Sequence, residues 1–420
     1  MSYAQVDADR LWSRQEATDK IGATANGGAH RMALTAEDIA SHRLIADICL
    51  ARGWALSIDD IGNMFAIRAG TDPQRAAVAS GSHTDSQPMA GRFDGMSGTL
   101  AALEAMEAID DAAIATDAPL MLAVWNNEEG PRFNPACMGS AVYAGVRTLA
   151  ELIDQTDVDG ISLRSCIGDL RAAIPEAGRH EIAAPIGAFL ESHIEQGIEL
   201  ETSGNTIGIV TGMQGYRRWR IDVTGVDAHS GTMPISRRKD AFVAATDMAV
   251  ALRHAFSDDT DEMRFTIGRF EVRPGGISVV PGHVHFTVDM RHPSTDLLRQ
   301  QGNRVEEICR EHAGPCGVAV EEFITSDTLE FPPEIRDRFE AAAVRHGYPH
   351  QPIFSRASHD ARHISRLCPA GMIFIPCKDG ISHNEAESAE KADCAAAAQV
   401  IADVMIELAR GTGLTGLKDR

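Results

Sequence analysis

An apolar run, a polar loop and an amphipathic segment follow one another between Val78 and Ala108, and that order restricts the chain to few architectures. Val78-Ala79-Ser80 has the character of a buried strand, and Ser97 to Ala108 repeats apolar residues at helical spacing. The glycine-broken stretch between them, Gly81-Ser-His-Thr-Asp-Ser-Gln-Pro-Met-Ala-Gly-Arg-Phe-Asp-Gly95, puts His83, Asp85 and Asp94 where a strand hands over to a helix. Ligands bind at that position in an open α/β sheet, so the loop reads as the start of a metal site.

The pattern recurs. Leu120 to Trp125 reads as a second buried strand ending in Asn126-Asn127-Glu128-Glu129-Gly130, and Ala188 to Gly197 supplies a third strand end around His193. A Thr35-capped helix to Gly53 and a hairpin of Trp54–Ile58 with Met64–Ile67 precede the opening loop. Beyond Thr206 strands and helices alternate in roughly the β-α-β-β-α-β order of a small sandwich, with helices at 239–254 and 295–312. The first fold resumes with a helix near Pro332 to His346, a strand at Ala370 to Ile375 and a closing helix at 389–410. The expected architecture is α/β: a mixed, mostly parallel sheet with helices on both faces and a metal site in 1–206 and 326–420, interrupted by a smaller α+β domain at 207–325.

Composition limits the partners. At 420 residues, 44% hydrophobic and 24% charged, the chain suits a two-domain globular enzyme. Lys and Arg number 39 against 60 Asp and Glu, a formal charge of −21, so nucleic acid and anionic membranes are not expected partners. The first ten residues lack a leader pattern and no run approaches the ~20 apolar residues of a membrane span, which makes a cytoplasmic location the expectation. The 8 cysteines include no Cys-x-x-Cys pair and read as reduced, mostly buried thiols. The acidic Asp258–Glu262 stretch reads as a solvated turn rather than a calcium site.

Imidazoles and carboxylates collect at the strand ends, a donor mixture that suits zinc, manganese, cobalt or nickel. If one carboxylate bridges two ions, the inventory closes: His83 and His193 for one, Glu129 and His383 for the other, Asp94 between. Glu128, beside a ligand but not needed as one, is then placed to accept a proton from an activated water. Asp85, two residues after His83, is expected to accept from the imidazole nitrogen that faces away from the metal. Nucleophile-elbow, dinucleotide and Walker-type motifs are absent, and nothing marks Cys137 as a nucleophile.

Gly81-Ser-His-Thr-Asp85, Gly91-Arg-Phe-Asp-Gly95, Asn127-Glu-Glu-Gly-Pro-Arg-Phe133, Glu191-Ser-His-Ile-Glu-Gln-Gly197, Asp227-Ala-His-Ser-Gly231, Asp289-Met-Arg-His292 and Gly380-Ile-Ser-His-Asn-Glu385 resemble motifs of M20 metallopeptidase-related amidohydrolases, in the hydantoinase/carbamoylase branch. The likeness runs from about Ile21 to Glu390. It implies the same metal ligands, with Glu128 as general base. It further implies that Gln196 contacts a ureido group, that Arg291 pairs with the substrate carboxylate, and that His229 reaches from the inserted lid into a partner subunit's site to stabilise an oxyanion. A homodimer through the inserted domain comes with that reading. Two departures concern the substrate: Ser278 stands where the branch commonly has an Asn, and Arg356 and Ser358 replace two glycines.

The resemblance implies metal-dependent cleavage of the carbamoyl group from an N-carbamoyl-L-amino acid or related ureido acid, giving the amino acid, carbon dioxide and ammonia. Two divalent ions are expected in each subunit, with zinc favoured. The alternative chemistry is a dinuclear N-acyl-amino acid deacylase or a dipeptidase, and Arg356 suggests a substrate with a second carboxylate, such as carbamoyl-aspartate or an N-acyl-aspartate. The alternative class is a non-catalytic small-molecule binding protein, against which the intact Glu128 argues.

Overall fold

A computed structural model describes residues 2–257 and 262–411. Residues 258–261, most of the acidic stretch expected to be a solvated turn, lie outside the described residues. The chain divides into two compact units, Met1–Thr211 with Phe331–Arg420, and Gly212–Glu330. Both boundaries lie later than the expected 206 and 325.

In the first unit the apolar runs become strands buried almost throughout: Ala77–His83, Leu120–Trp125, Ile186–Ile194 and Ala370–Ile375. Strands of that kind need cover on both faces. They pair in parallel, in the order 370–375, 186–194, 77–83, 120–125. The hairpin of Ala55–Ile58 and Met64–Arg68 extends one side antiparallel, and Ile207–Met213 lies antiparallel to Ala370–Ile375 on the other. The sheet is therefore mixed and parallel at its centre, as expected.

Alternation along each strand separates two cores. Leu120, Leu122 and Val124 join a cluster with helices Met96–Asp111 and Lys391–Arg410, both buried over most of their length. Trp125 instead packs across the rings of Phe65, Tyr143 and Phe189, 5.4–5.8 Å between centres, contacts that add about 0.5–1.5 kcal/mol each beyond buried area. A helix not anticipated, Ala8–Thr18, is capped by Asp7 and tied through Arg10 to Glu104 at 2.7 Å. No helix among the described residues is long and apolar enough to cross a membrane.

The second unit is a four-stranded antiparallel sheet in the order Arg264–Arg273, His283–His292, Gly215–Thr224, Gly317–Ser326. Strand His283–His292 alternates strictly between buried and half-buried residues. Helix Ala241–Phe256 and two shorter helices cover the apolar face. The helix expected over 295–312 is two, Thr295–Gly302 and Val305–Glu311. The break coincides with buried Arg217, whose guanidinium donates to the Arg299 carbonyl and to Asn303 Oδ1 at 3.0 Å each.

Gly81 has no room beside it in its central strand, since a Cβ would stand 1.8 Å from the Ala123 carbonyl oxygen. Gly81→Ala should destabilise the protein by at least about 1–3 kcal/mol. By contrast, Gly168→Ala in helix Leu163–Ala173, where a Cβ meets open space, should stabilise by about 0.5–1 kcal/mol. Urea unfolding of the two variants checks both signs.

Candidate metal centre

The carboxyl ends of the four parallel strands converge on one region. His83 ends its strand in register with Trp125, and His193 pairs with Phe374. Glu128 and Glu129 follow Leu120–Trp125, His383 follows the Lys378–Gly380 turn, and Asp94 precedes helix Met96–Asp111.

Two donor sets form there. Asp94 Oδ1 lies 3.4 Å from His83 Nε2 and 3.1 Å from His193 Nε2. Its Oδ2 lies 3.5 Å from His383 Nε2, which stands 3.3 Å from Glu129 Oε2. Within each set the donor atoms lie within 4.8 Å of one another, and Asp94 belongs to both. Glu128 Oε2 is 3.7 Å from His83 Nε2 and belongs to neither.

These donors fit cations. His83 Nε2 is buried without a hydrogen-bond partner, while its Nδ1 meets the Asp85 carbonyl at 2.9 Å. His193 Nδ1 is fixed in the same way by the Ile194 carbonyl at 2.9 Å. Both rings thus turn Nε2 inward, the orientation that a backbone carbonyl imposes on metal-binding histidines. The expectation for Asp85 changes in detail: the backbone steadies His83. Its carboxylate, 3.7 Å from that ring, accepts the N–H groups of Glu128 and Glu129 at 3.1 Å each.

Burial opposes charge throughout, and the neighbours settle where it is overcome. It works to lower the His83 pKa, yet Glu128, Asp94 and Asp85 hold it well above the ordinary value. Burial pushes Glu128 well above the carboxylate range against the pull of His83, and Asp360 and Glu129 add to the rise. Asp94 goes the other way, because His193, His383 and His83 overcome burial and hold it well below. Gly95, at φ 63°, closes the loop around His83, for a Cβ there would fall 2.3–2.4 Å from the imidazole.

The remaining anticipated residues are distributed between the units. Gln196 Nε2 donates to Asp94 Oδ2 at 2.8 Å, and its buried Oε1 has no partner. Ser358 Oγ accepts from Arg362 Nε at 3.1 Å, and Arg356 is exposed. In the second unit His229 is exposed, its Nδ1 accepting from the N–H groups of Gly231 and Thr232 at 3.0 and 3.3 Å. Ser278 lies on the adjoining segment, its carbonyl 3.0 Å from the Ser230 N–H. Arg291 donates through Nε to Asp289 Oδ1 at 2.7 Å, and Arg218 contacts the same carboxylate at 2.6 Å.

Sequence reasoning passes over two groups at the site. His359 is buried with Nε2 unpartnered and its ring 4.4 Å from that of His193; burial and then His193 lower its pKa well below the usual value. The signal available was a His-Asp pair shortly after strand His350–Ser355. Cys137 Sγ donates to Glu128 Oε1 at 3.1 Å, a contact that no spacing announces.

Residues 79–407 match peptidase family M20/M25/M40. The chain belongs to that family. It is 36% identical over 411 residues to N-carbamoyl-L-amino-acid amidohydrolase of Rhizobium meliloti, covering 96% of this chain and 97% of that protein. Allantoate amidohydrolase of Bacillus subtilis is 29% identical, with 96% and 100% covered. Among solved structures, an amidase of the hydantoinase/carbamoylase family from Burkholderia vietnamiensis matches with a TM-score of 0.86 at 38% identity, over 97% of this chain and 98% of that one. This M20 chain is an amidohydrolase of the hydantoinase/carbamoylase branch, an enzyme acting on amide C–N bonds.

In the metal-free protein, protons compete for the donor atoms. The hydrogen bond to Asp94 raises His383 to about 9 despite burial, and burial with Asp94 raises Glu129 to about 7. An ion must displace those protons at any lower pH, so affinity is lost as pH falls. Apparent zinc affinity, measured by chelator competition, should rise between about pH 6 and about pH 9, with proton release on binding. Equal affinity at both ends of that range would count against these residues as ligands.

Proposed function

We propose that the protein is a dinuclear, metal-dependent hydrolase that removes the carbamoyl group of an N-carbamoyl-L-amino acid or related ureido acid, releasing the amino acid, carbon dioxide and ammonia. The observation that carries this reading is Asp94, with one oxygen turned to each of two donor sets, in a chain 36% identical to an N-carbamoyl-L-amino-acid amidohydrolase. His83 and His193 would hold one ion, Glu129 and His383 the other, and Asp94 both. Zinc is favoured, and manganese, cobalt or nickel suit the same donors. When bound, the ions supply Lewis acidity and lower the pKa of the attacking water.

The side chains divide the remaining work. Cys137 holds Oε1 of Glu128 and the Asp85 carboxylate holds its N–H, which leaves Oε2 turned toward the first donor set. There it takes the proton of the attacking water and returns it to the departing nitrogen. Gln196 braces Asp94 through its amide nitrogen and keeps Oε1 to accept a ureido N–H. Because His229 Nδ1 accepts from the backbone, its proton sits on Nε2, the form that donates to an oxyanion. Asp289 orients Arg291 so that the rest of its guanidinium can take a substrate carboxylate.

We assign His229 to the site of a partner subunit in a homodimer built on the second unit. That unit exposes Phe242, Val243 and Val250 on helix Ala241–Phe256 and Phe270 on the edge strand Arg264–Arg273. An apolar surface of that kind is what subunit interfaces cover. The eight cysteines are unpaired, which accords with a reducing, cytoplasmic setting.

Ammonia release from a panel of ureido and N-acyl amino acids, after loading with zinc, manganese, cobalt or nickel, tests the reaction. Ureido acids should yield ammonia; an acyl acid released without ammonia would make the enzyme a deacylase instead. Glu128→Gln should lower kcat by at least ~10² while the protein still binds metal. Mixing His229→Ala with Glu128→Gln subunits should restore activity that neither variant has, and no recovery would rule out His229 acting across a dimer.

A further inference from the structure

We infer that Glu387 is a positioning residue for Asp94, and that the segment from Ser382 to Glu387 serves both donor sets by supplying His383 and clamping the loop that carries the shared carboxylate. The inference rests on the dinuclear reading above. Glu387 is 2% exposed yet belongs to neither donor set. Its Oε1 accepts the N–H groups of Phe93 and Asp94 at 2.9 and 3.0 Å. Its Oε2 lies 2.9 Å from Ser382 Oγ, and the same hydroxyl lies 3.0 Å from Asp94 Oδ2. Asp94 is therefore held at its backbone by Glu387 and at its carboxylate by Ser382, which Glu387 itself engages.

Gly91 supplies independent support. A Cβ at that position would fall 2.0–2.3 Å from the Glu387 carboxylate, so the loop accepts this side chain only because a glycine opens it. The Gly91–Gly95 run is thus fitted to Glu387 at one end and to the His83 ring at the other. A carboxylate that must face two cations with two separate oxygens gains from a backbone already fixed before they arrive. Removing Glu387 leaves two buried N–H groups without their acceptor and frees the loop to turn.

Zinc stoichiometry and affinity, measured by chelator competition together with melting of the metal-free proteins, test this. Glu387→Ala should weaken zinc binding by about 10–100-fold, beyond what the accompanying fall in metal-free melting accounts for. Glu387→Gln, which keeps an oxygen for both N–H groups and an amide for Ser382, should stay close to wild type. Gly91→Ala should mimic Glu387→Ala by expelling the carboxylate, and the double variant should cost little more than either alone. Wild-type affinity in Glu387→Ala or in Gly91→Ala overturns the inference, as does an affinity loss that only tracks a fall in metal-free melting. If Glu387→Ala does not fold, Gly91→Ala against Glu387→Gln carries the same comparison. Asp94→Ala separates the two readings: should it bind zinc like wild type, or should the wild type bind none, the dinuclear site itself is wrong.

Discussion

Asp94 stays ionised in a buried site because three imidazoles surround it, and the sheet exists in a form that delivers those imidazoles from three distant parts of the chain. His83 and His193 sit at the ends of adjacent parallel strands, and His383 follows the neighbouring one. A slip of one residue in either strand that carries His83 or His193 would turn that imidazole to the opposite face. Full burial of the central strands on both faces forbids that slip, because it would exchange two differently shaped cores at once.

The same burial concentrates negative charge. Asp85, Asp94, Glu128, Glu191, Asp360 and Glu387 are all buried close to the site, against the buried imidazoles of His83, His193 and His359. Burial lifts Asp85 to about 6 and Glu387 to about 7, and holds Glu128 and Asp360 well above the ordinary carboxylate range. A carboxyl whose folded pKa exceeds its unfolded value costs stability as pH rises through that interval, so at neutral pH these groups weigh against the metal-free fold. Divalent cations held among these groups would relieve this cost, so the donor chemistry and the charge balance point the same way.

What was legible in the sequence follows from this. Strands buried on both faces appear as uninterrupted apolar runs, and strand ends that carry the clustered donor residues appear as sudden polarity, so Leu120–Trp125 and Ala370–Ile375 fall where the residues predict. That His83, Asp94, Glu129, His193 and His383 would gather could be read because their residue types balance at those ends. The turn of the Asp85 carboxylate toward Glu128 and Glu129 is settled by which strand end lies beside it, a fact of tertiary structure. Arg217 meets the break between two helices more than eighty positions away, and helix Ala8–Thr18 is tied to the fold by Arg10 on Glu104, contacts that lie far apart in the chain. Glu387 was hidden for the same reason, since the N–H groups that donate to it lie 293 and 294 residues earlier in the chain.

Strain at the site is held by the contacts that shape it. Asn127, Gln196 and His383 adopt φ of 54°, 56° and 54°, a left-handed conformation that costs a non-glycine residue on the order of 1–3 kcal/mol. Asn127 is held by its own amide, which donates to the Phe133 and Pro135 carbonyls at 2.8 and 3.2 Å while the chain turns to aim Glu128 and Glu129. Gln196 is held by Asp94, and His383 lies beside both Asp94 and Glu129. Each unfavourable turn therefore lies where side-chain contacts hold it, to backbone carbonyls for Asn127 and to groups of the site for Gln196 and His383. The loops obtain their geometry from one another as much as from the strands beneath them, with Asp94 as the point on which the Gln196 and His383 turns meet.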